Sequence, residues 1–530
     1  MTPSWLFDPV RNSSLVLRRW FLFLLLVHLV TATFSYGIFH CDEHFQIIEF
    51  IGYKLGWVPA SGLAWEFESQ IRPWLQPLLF FIPVKALMGV GMTNPLTLEL
   101  VLRLLSGLLG WGSLAILSRT LFSFLGRTQK AFWITLLFSS FYFLPQFHVR
   151  TSSESMSTAF LMLAFAQCLN PQLNPARFTL VGFLLGLSFE ARYQTAIAGL
   201  GLALWLFFTT RQKLQCAVFG TLGGVSAMVL GALADRWGYG TFVFPAYSYL
   251  KVNLIEGKAA SFGVSPWWDY FTTFRKSFIG PYGIALISGV LVALAFSLKS
   301  LLRPSTSTPA LEPALTTLAQ AAIATLLPFF IVHSLIGHKE NRFLYPVVWA
   351  MWLVALLQLG LPLQAFFMKR PHGQRWLSAA LALHVALTFV LLVRNAFTEL
   401  ETRAPLLAAL QSESEKVPAL KLKVLDGFHP YSMGCGGAQE CGSKLISEFT
   451  MPKNLEVDCS STSLGNPQGS LVLQTFNEAP ADIPQAPSGC RTLRSTLPGW
   501  VPSVASSLSE ELRPLVFKKF RFHVLWDCRG

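Results

Sequence analysis

Charge is what this chain has least of. Of 530 residues only 13% are charged, with 28 Asp and Glu in all, while 52% are hydrophobic and the mean hydropathy is +0.48. So apolar a composition does not supply the polar surface that a soluble fold of this length would present to water. The chain reads as an all-α polytopic membrane protein. Other absences narrow the chemistry: there is no GxxxxGK[ST] loop, no GxGxxG between a strand and a helix, no HExxH and no CxxC pair. Neither a nucleotide cradle nor a zinc site is therefore visible. No small-residue cleavage pattern follows the first apolar run, so residues 20–39 read as an uncleaved span. No internal repeat stands out, and the single low-complexity patch, residues 303–314, reads as a short cytoplasmic linker.

What is present is a series of apolar runs. Those approaching the roughly 20 residues that a span needs fall near 20–39, 99–118, 131–147, 155–169, 178–190, 195–209, 215–234, 280–298, 316–335, 343–362 and 376–394. Residues 74–90 are also apolar but carry Pro77, Pro83 and Lys85. The formal charge of +13 does not imply nucleic-acid binding, because the basic residues sit in short clusters between apolar runs. If residues 74–90 lie in the interface, Arg119, Arg127, Lys130, Arg211, Lys213, Lys299, Lys369 and Arg370 all fall on the side of the N-terminus, as the positive-inside rule requires.

This predicts about eleven transmembrane helices. Residues 1–19 form a cytoplasmic N-terminus and 20–396 a membrane domain with long outer loops at 40–98 and 235–279. Residues 397–530, rich in Ser, Pro and Gly and without a spanning run, form a soluble domain on the far side. Cys435, Cys441, Cys459, Cys490 and Cys528 lie in that domain and Cys41 in the first outer loop, whereas Cys168 and Cys216 do not. Six cysteines in an oxidising compartment predict disulfides, with the pairing left open.

The chemistry gathers on the same outer face. Seven residues, HCDEHFQ, bring Asp42 and Glu43 between His40 and His44 just past the first span. Further on come Glu66 and Arg72, HVRTSSE with Arg150 and Glu154, FEARYQT with Glu190 and Arg192, Asp235, and HKENR with His338, Lys339, Glu340 and Arg342. One such acid would be a solvated helix end, and Glu190 with Arg192 reads as a structural ion pair. Ionisable groups near membrane depth cost roughly 2.5–3.5 kcal/mol each, so clusters of both signs on one face point to a site. A carboxylate able to act as general base, with Arg, Lys and His to stabilise a departing phosphate beside lipid headgroups, suits sugar transfer from a lipid-phosphate carrier.

The stretches HCDEHFQIIEF and AWEFESQIRPW resemble the HPDExFQ and TWEW signature of the glycosyltransferase family 22 mannosyltransferases, which include GPI-anchor and dolichol-linked-oligosaccharide mannosyltransferases. RTSSESMS, the block from 235 to 271 and HKENRFLYP are similar to further segments of that family, in the same order. The resemblance implies a GT-C fold whose first outer loop holds juxtamembrane helices, a polyprenyl-phosphate mannose donor, a lipid-linked acceptor and inversion at the anomeric carbon.

By motif position it implies Asp42 as general base, with Glu43 orienting the acceptor or assisting. His338, Lys339 and Arg342 would hold the donor phosphate, and Arg72 would bind phosphate or brace the loop through Glu43 or Glu66. His40, His44, Glu66, Arg150, Glu154, Arg192 and Asp235 would shape the acceptor site. Cys41 stands where the family usually has Pro, which allows a disulfide from this turn to the tail. Pro73 and Trp74 follow Arg72 where the family has Ser, and EARYQT departs from its RPTA pattern. The tail from LDGFHPYSMGCGG matches the family only faintly, and no role is carried over to it.

No cofactor is expected; a divalent cation on Asp42 and Glu43 is the less favoured variant, with no metal ligand assigned. The partners are the lipid donor, the lipid-linked acceptor and membrane lipids, without nucleic acid. A GPI-like glycolipid, a lipid-linked oligosaccharide or a bacterial glycolipid all fit as acceptor. The sole N-x-[ST] sequon, at Asn12, lies on the cytoplasmic side. The reading leans to a bacterial inner membrane with a periplasmic site, with the endoplasmic reticulum and a lumenal site as alternative. The rival functional class is a lipid or glycolipid transporter.

Overall fold

The structure is a computed structural model that describes residues 13–302, 313–398, 403–425, 429–432, 446–459, 469–476, 484–497, 501 and 522–529. Two compact units emerge. The first comprises Met1–Ser35, Glu66–Ile82 and Leu100–Thr398, the second Tyr36–Trp65, Pro83–Glu99 and Glu399–Gly530. The linker at 303–312 and the cysteines Cys435 and Cys441 lie outside the described residues.

The chain is a multi-pass membrane protein. Among the described residues seven helices are long and apolar enough to cross a bilayer: Ser13–Phe34, Pro95–Phe124, Lys213–Tyr239, Pro281–Leu298, Pro313–Leu335, Asn341–Met368 and Gly373–Phe397. Four of the expected runs form shorter helices, broken at Ser140–Tyr142 and ended by Cys168, Ala191 and Thr209. The doubtful run forms Leu75–Gly89, 15 residues with Pro83 inside, too short to cross a ~30 Å layer unaided.

Sequence dictates where these helices begin. Asn174 accepts from Arg177 N–H to open Pro175–Ala191, and proline there forfeits no intrahelical bond. Ser152 does the same for Ser153–Cys168, placing Glu154 in its first turn. Two helices of the first unit then pack backbone to backbone. A methyl on Gly182 would lie 1.9 Å from Gly220 O, and one on Gly223 2.0 Å from Thr179 O. Small residues one turn apart allow this approach, which fixes Glu190 and Asp235 near the same end of the pair.

In the second unit the tail carries a five-stranded mixed sheet in the order β2-β1-β3-β5-β4, with β1 Leu420–Val424, β2 Leu455–Asp458, β3 Leu471–Phe476, β4 Arg491–Ser495 and β5 Phe522–Asp527. Strand β1 runs parallel to β2 and β3, and β5 antiparallel to β3 and β4. All six residues of β5 are buried, because both faces of the sheet are covered. Leu525 packs with Leu406, Leu410 and Leu473, while Val524 and Trp526 pack with Val472. Cys490 and Cys528 are joined by a disulfide, Cys41 and Cys459 are each engaged in a disulfide, and Cys168 and Cys216 are free.

Candidate active site

In the second unit HCDEHFQ forms a tight turn that leads into a π-helical turn, His44–Ile48, and on into the helix Glu49–Leu55. Glu43 folds back: its Oε1 accepts from Phe39 N–H at 2.7 Å and from His40 N–H at 3.4 Å, and the side chain is buried. Glu43 is therefore the acid that shapes the turn on which Asp42 stands. Asp42 behaves differently. Its backbone N–H donates to His40 Nδ1 at 3.2 Å, and its side chain keeps 20% of its surface exposed. His44 is buried, with Nε2 at 2.8 Å from Glu49 Oε1. Burial pulls its pKa down, but the hydrogen bond and charge of Glu49, with the more distant Glu99, outweigh this and leave it above 6.5. His44 thus shapes the loop from inside, paired with Glu49.

His40, Cys41 and Asp42 bring potential ligand atoms within 4.8 Å of one another. The Cys41 sulfur is committed to a disulfide and has no thiolate to offer. That leaves an imidazole and a carboxylate, fewer donors than a protein-built site for a divalent ion normally supplies.

In the first unit the basic residues converge. Arg192 Nη1 donates to Glu154 Oε1 at 2.9 Å and to Ser153 Oγ at 3.0 Å. Arg342 meets Glu340 through two bonds, Nε to Oε2 at 2.6 Å and Nη2 to Oε1 at 3.2 Å, and reaches Glu154 at 3.4 Å. Both guanidiniums lie over Phe343, 5.5 and 5.3 Å from its centre. His338 pairs with Glu340 at 3.1 Å, and Lys339 Nζ donates to Ser265 O at 3.0 Å and Ile336 O at 2.5 Å. Burial lowers the Lys339 pKa, with Asp269 opposing. Burial also lowers that of Arg192; Glu154 opposes, and the neighbouring charges of Arg342 and Arg72 push the same way as burial. Arg72, Arg192, Arg342 and Lys339 are thus set against the carboxylates Glu66, Glu154, Glu340 and Asp269.

Arg72 braces through Glu66, at 3.4 Å. Its backbone is gripped by the last turn of Lys213–Tyr239: its N–H donates to Tyr239 Oη at 3.3 Å, and its carbonyl accepts from the same hydroxyl at 2.9 Å. One turn earlier Asp235 accepts from Trp74 N–H at 2.8 Å and so holds the Arg72 loop. Trp74 seats on Gly238, where a methyl would lie 2.0 Å from the indole. Gly238→Ala is expected to lower stability by about 1–3 kcal/mol and to weaken donor binding through Arg72. Melting in detergent and a donor KM show this; wild-type values for both would mean that the seat does not hold the loop.

Two other expectations are corrected. Arg150 is buried and donates to Ser35 O at 2.6 Å, Ser35 Oγ at 3.0 Å and Gln146 O at 3.2 Å, bracing the end of the first helix. Arg192 takes Glu154 in place of Glu190, because the helix ends at Ala191 and the extended backbone at Arg192 turns its side chain away while Glu190 packs on Gly231. Neither the Tyr239 hydroxyl at Arg72 nor the pairing of Glu49 with His44 is signalled by sequence. A glutamate five residues after a histidine faces it only across a π turn.

The fold and these clusters define a polytopic membrane protein with a partly exposed carboxylate, Asp42, on an ordered loop and a cluster of paired cations. The chain belongs to the Alg9-like mannosyltransferase family, whose profile matches residues 19–412, and is accordingly a glycosyltransferase; the transporter alternative falls away. It is 27% identical to GPI mannosyltransferase 3 of Gibberella zeae over 500 residues, covering 83% of this chain and 75% of the relative. It is 26% identical to mannosyltransferase APTG1 of Arabidopsis thaliana, covering 62% and 56% of the two chains. With the probable Dol-P-Man:Man(7)GlcNAc(2)-PP-Dol alpha-1,6-mannosyltransferase of Schizosaccharomyces pombe it shares 27% identity, covering 54% and 47%. The matched part thus spans three quarters of the first relative and about half of the other two. Among solved structures, ArnT from Cupriavidus metallidurans bound to undecaprenyl phosphate aligns at 12% identity with a TM-score of 0.49, covering 98% of this chain and 99% of that one.

Proposed function

We propose that the protein transfers mannose from a polyprenyl-phosphate mannose to a hydroxyl of a GPI-like glycolipid or lipid-linked glycan, with inversion. The observation that carries this reading is the division of labour among the acids of the first loop. Glu43 and Glu49 are buried and hold the chain, while the Asp42 carboxylate, 3.3 Å from His40 Nδ1, stays partly exposed. In the reaction the acceptor oxygen attacks the anomeric carbon, its proton passes to Asp42, and the C1–O bond to phosphate breaks. The departing phosphate is stabilised by the cations around Arg342, Lys339 and Arg72, which are held in advance by Glu340, Glu66 and backbone carbonyls. No redox or nucleotide cofactor enters this scheme.

The names of the relatives support a GPI-type or dolichol-linked acceptor, and those relatives are from fungi and a plant. This favours an endoplasmic reticulum membrane with a lumenal site; the bacterial reading finds no support among them. The test is transfer by the purified protein in detergent, from radiolabelled polyprenyl-phosphate mannose to a total lipid extract of the source organism. A labelled lipid product is expected, and its analysis identifies the acceptor. A donor that binds but gives no labelled lipid would refute mannose transfer to lipid.

A further inference from the structure

The tail is the part of this chain to which the sequence assigns no role, yet the second unit joins part of it to the loop that carries Asp42. Ser447 Oγ lies 2.8 Å from His44 Nε2, and Phe449 N–H donates to both oxygens of Glu49, at 3.1 and 3.2 Å. Thr450 Oγ1 donates to Glu99 Oε1 at 3.2 Å, and Glu99 Oε2 accepts from Tyr36 at 3.3 Å. The Phe449 ring packs at a tilt against Trp57, 5.2 Å between centres, and over Gly52, where a methyl would meet the phenyl at 3.1 Å and Val58 at 2.5 Å. Asp42 therefore lies between two anchors, Tyr36 before it and His44 after it, and one turn of the tail binds both, the first through Glu99.

We propose that the tail turn around Ser447–Thr450 is a positioning element of the transferase, fixing the helix that presents Asp42. The inference rests on the reading of Asp42 as the base. Local sequence alone does not stabilise this geometry, because a π turn is an unfavourable single turn that persists where its surroundings impose it. Glu49, His44 and Ser447 are almost wholly buried, and buried charges demand partners. The groups facing His44 are Glu49 and Glu99, which favour its imidazolium, and Arg403 of the tail, which opposes it. The arrangement is not a nucleophilic triad: Ser447 and Glu49 meet the same nitrogen of His44, so no relay runs through the ring.

Because Glu49 and Glu99 hold His44 above 6.5, the stabilisation from its charged form is complete below that value and is lost as pH rises through the raised one. The experiment uses the full chain in detergent with radiolabelled polyprenyl-phosphate mannose, comparing Ser447→Ala, Glu49→Gln and Asp42→Asn. Ser447→Ala is expected to lower kcat about tenfold to a hundredfold with donor KM unchanged, as for a displaced catalytic group. In Glu49→Gln the fall of kcat on the alkaline side of the His44 transition should move to lower pH, which a merely structural contact would not cause. Wild-type kcat in Ser447→Ala, or an unmoved profile in Glu49→Gln, beside an inactive Asp42→Asn overturns the positioning role alone. An active Asp42→Asn removes the base reading, and this inference with it. If Ser447→Ala fails to accumulate, the isosteric Glu49→Gln profile decides.

Discussion

Asp42→Asn should remove mannose transfer while leaving the protein folded. General-base catalysis contributes about 10²–10⁴-fold, and an amide of the same shape has no basic oxygen to receive the acceptor's proton. Its backbone N–H donates to His40 Nδ1, which the substitution keeps, and its carboxylate stands 3.3 Å from the same nitrogen, where an amide of the same shape also fits; the side chain is 20% exposed. Melting in detergent should match wild type, and donor binding should persist, because the phosphate is assigned to cations and not to this acid. Glu43→Gln provides the contrast. That carboxylate accepts from Phe39 and His40 N–H, and an amide oxygen can still accept, so activity should fall by less than in Asp42→Asn. Near-normal transfer by Asp42→Asn would falsify the assignment of the base.

Much of the membrane part could be read from residues. Apolar runs with basic residues at one set of ends marked the helices, and HCDEHFQ marked the loop, since acids at the mouth of a span need a reason. Partner choice was less legible, because it depends on where a helix stops. Arg192 follows Glu190 by two residues, but the helix ends between them, at Ala191, and the two side chains diverge. The tail was the least legible. Its strands have four to six residues, too short to stand out among Ser, Pro and Gly, and β5 reads as FHVLWD, an apolar run with no turn signal to bound it. Ser447 lies 403 positions from His44. No local pattern encodes such a contact; it arises when a buried imidazole and a buried carboxylate must both be satisfied.

Glu154→Ala should cause the largest loss of stability of any single change in the cation cluster. Glu154 is buried at 4% exposure and is shared by Arg192 at 2.9 Å and Arg342 at 3.4 Å. Its removal leaves the Arg192 guanidinium, equally buried, facing the charges of Arg342 and Arg72 that already disfavour it. Breaking a buried pair from one side costs about 3–5 kcal/mol, chiefly through the charge left behind. The melting temperature in detergent should fall clearly, and donor KM should rise as Arg342 loses one of its carboxylates. A cavity alone would also destabilise, so the double variant Glu154→Ala with Arg192→Leu separates the causes. If the orphaned charge dominates, removing it too should restore much of the loss; if the cavity dominates, the two losses should simply add. A Glu154→Ala protein that melts with wild type would mean that the arginines find other anions, and that this carboxylate does not hold the cluster together.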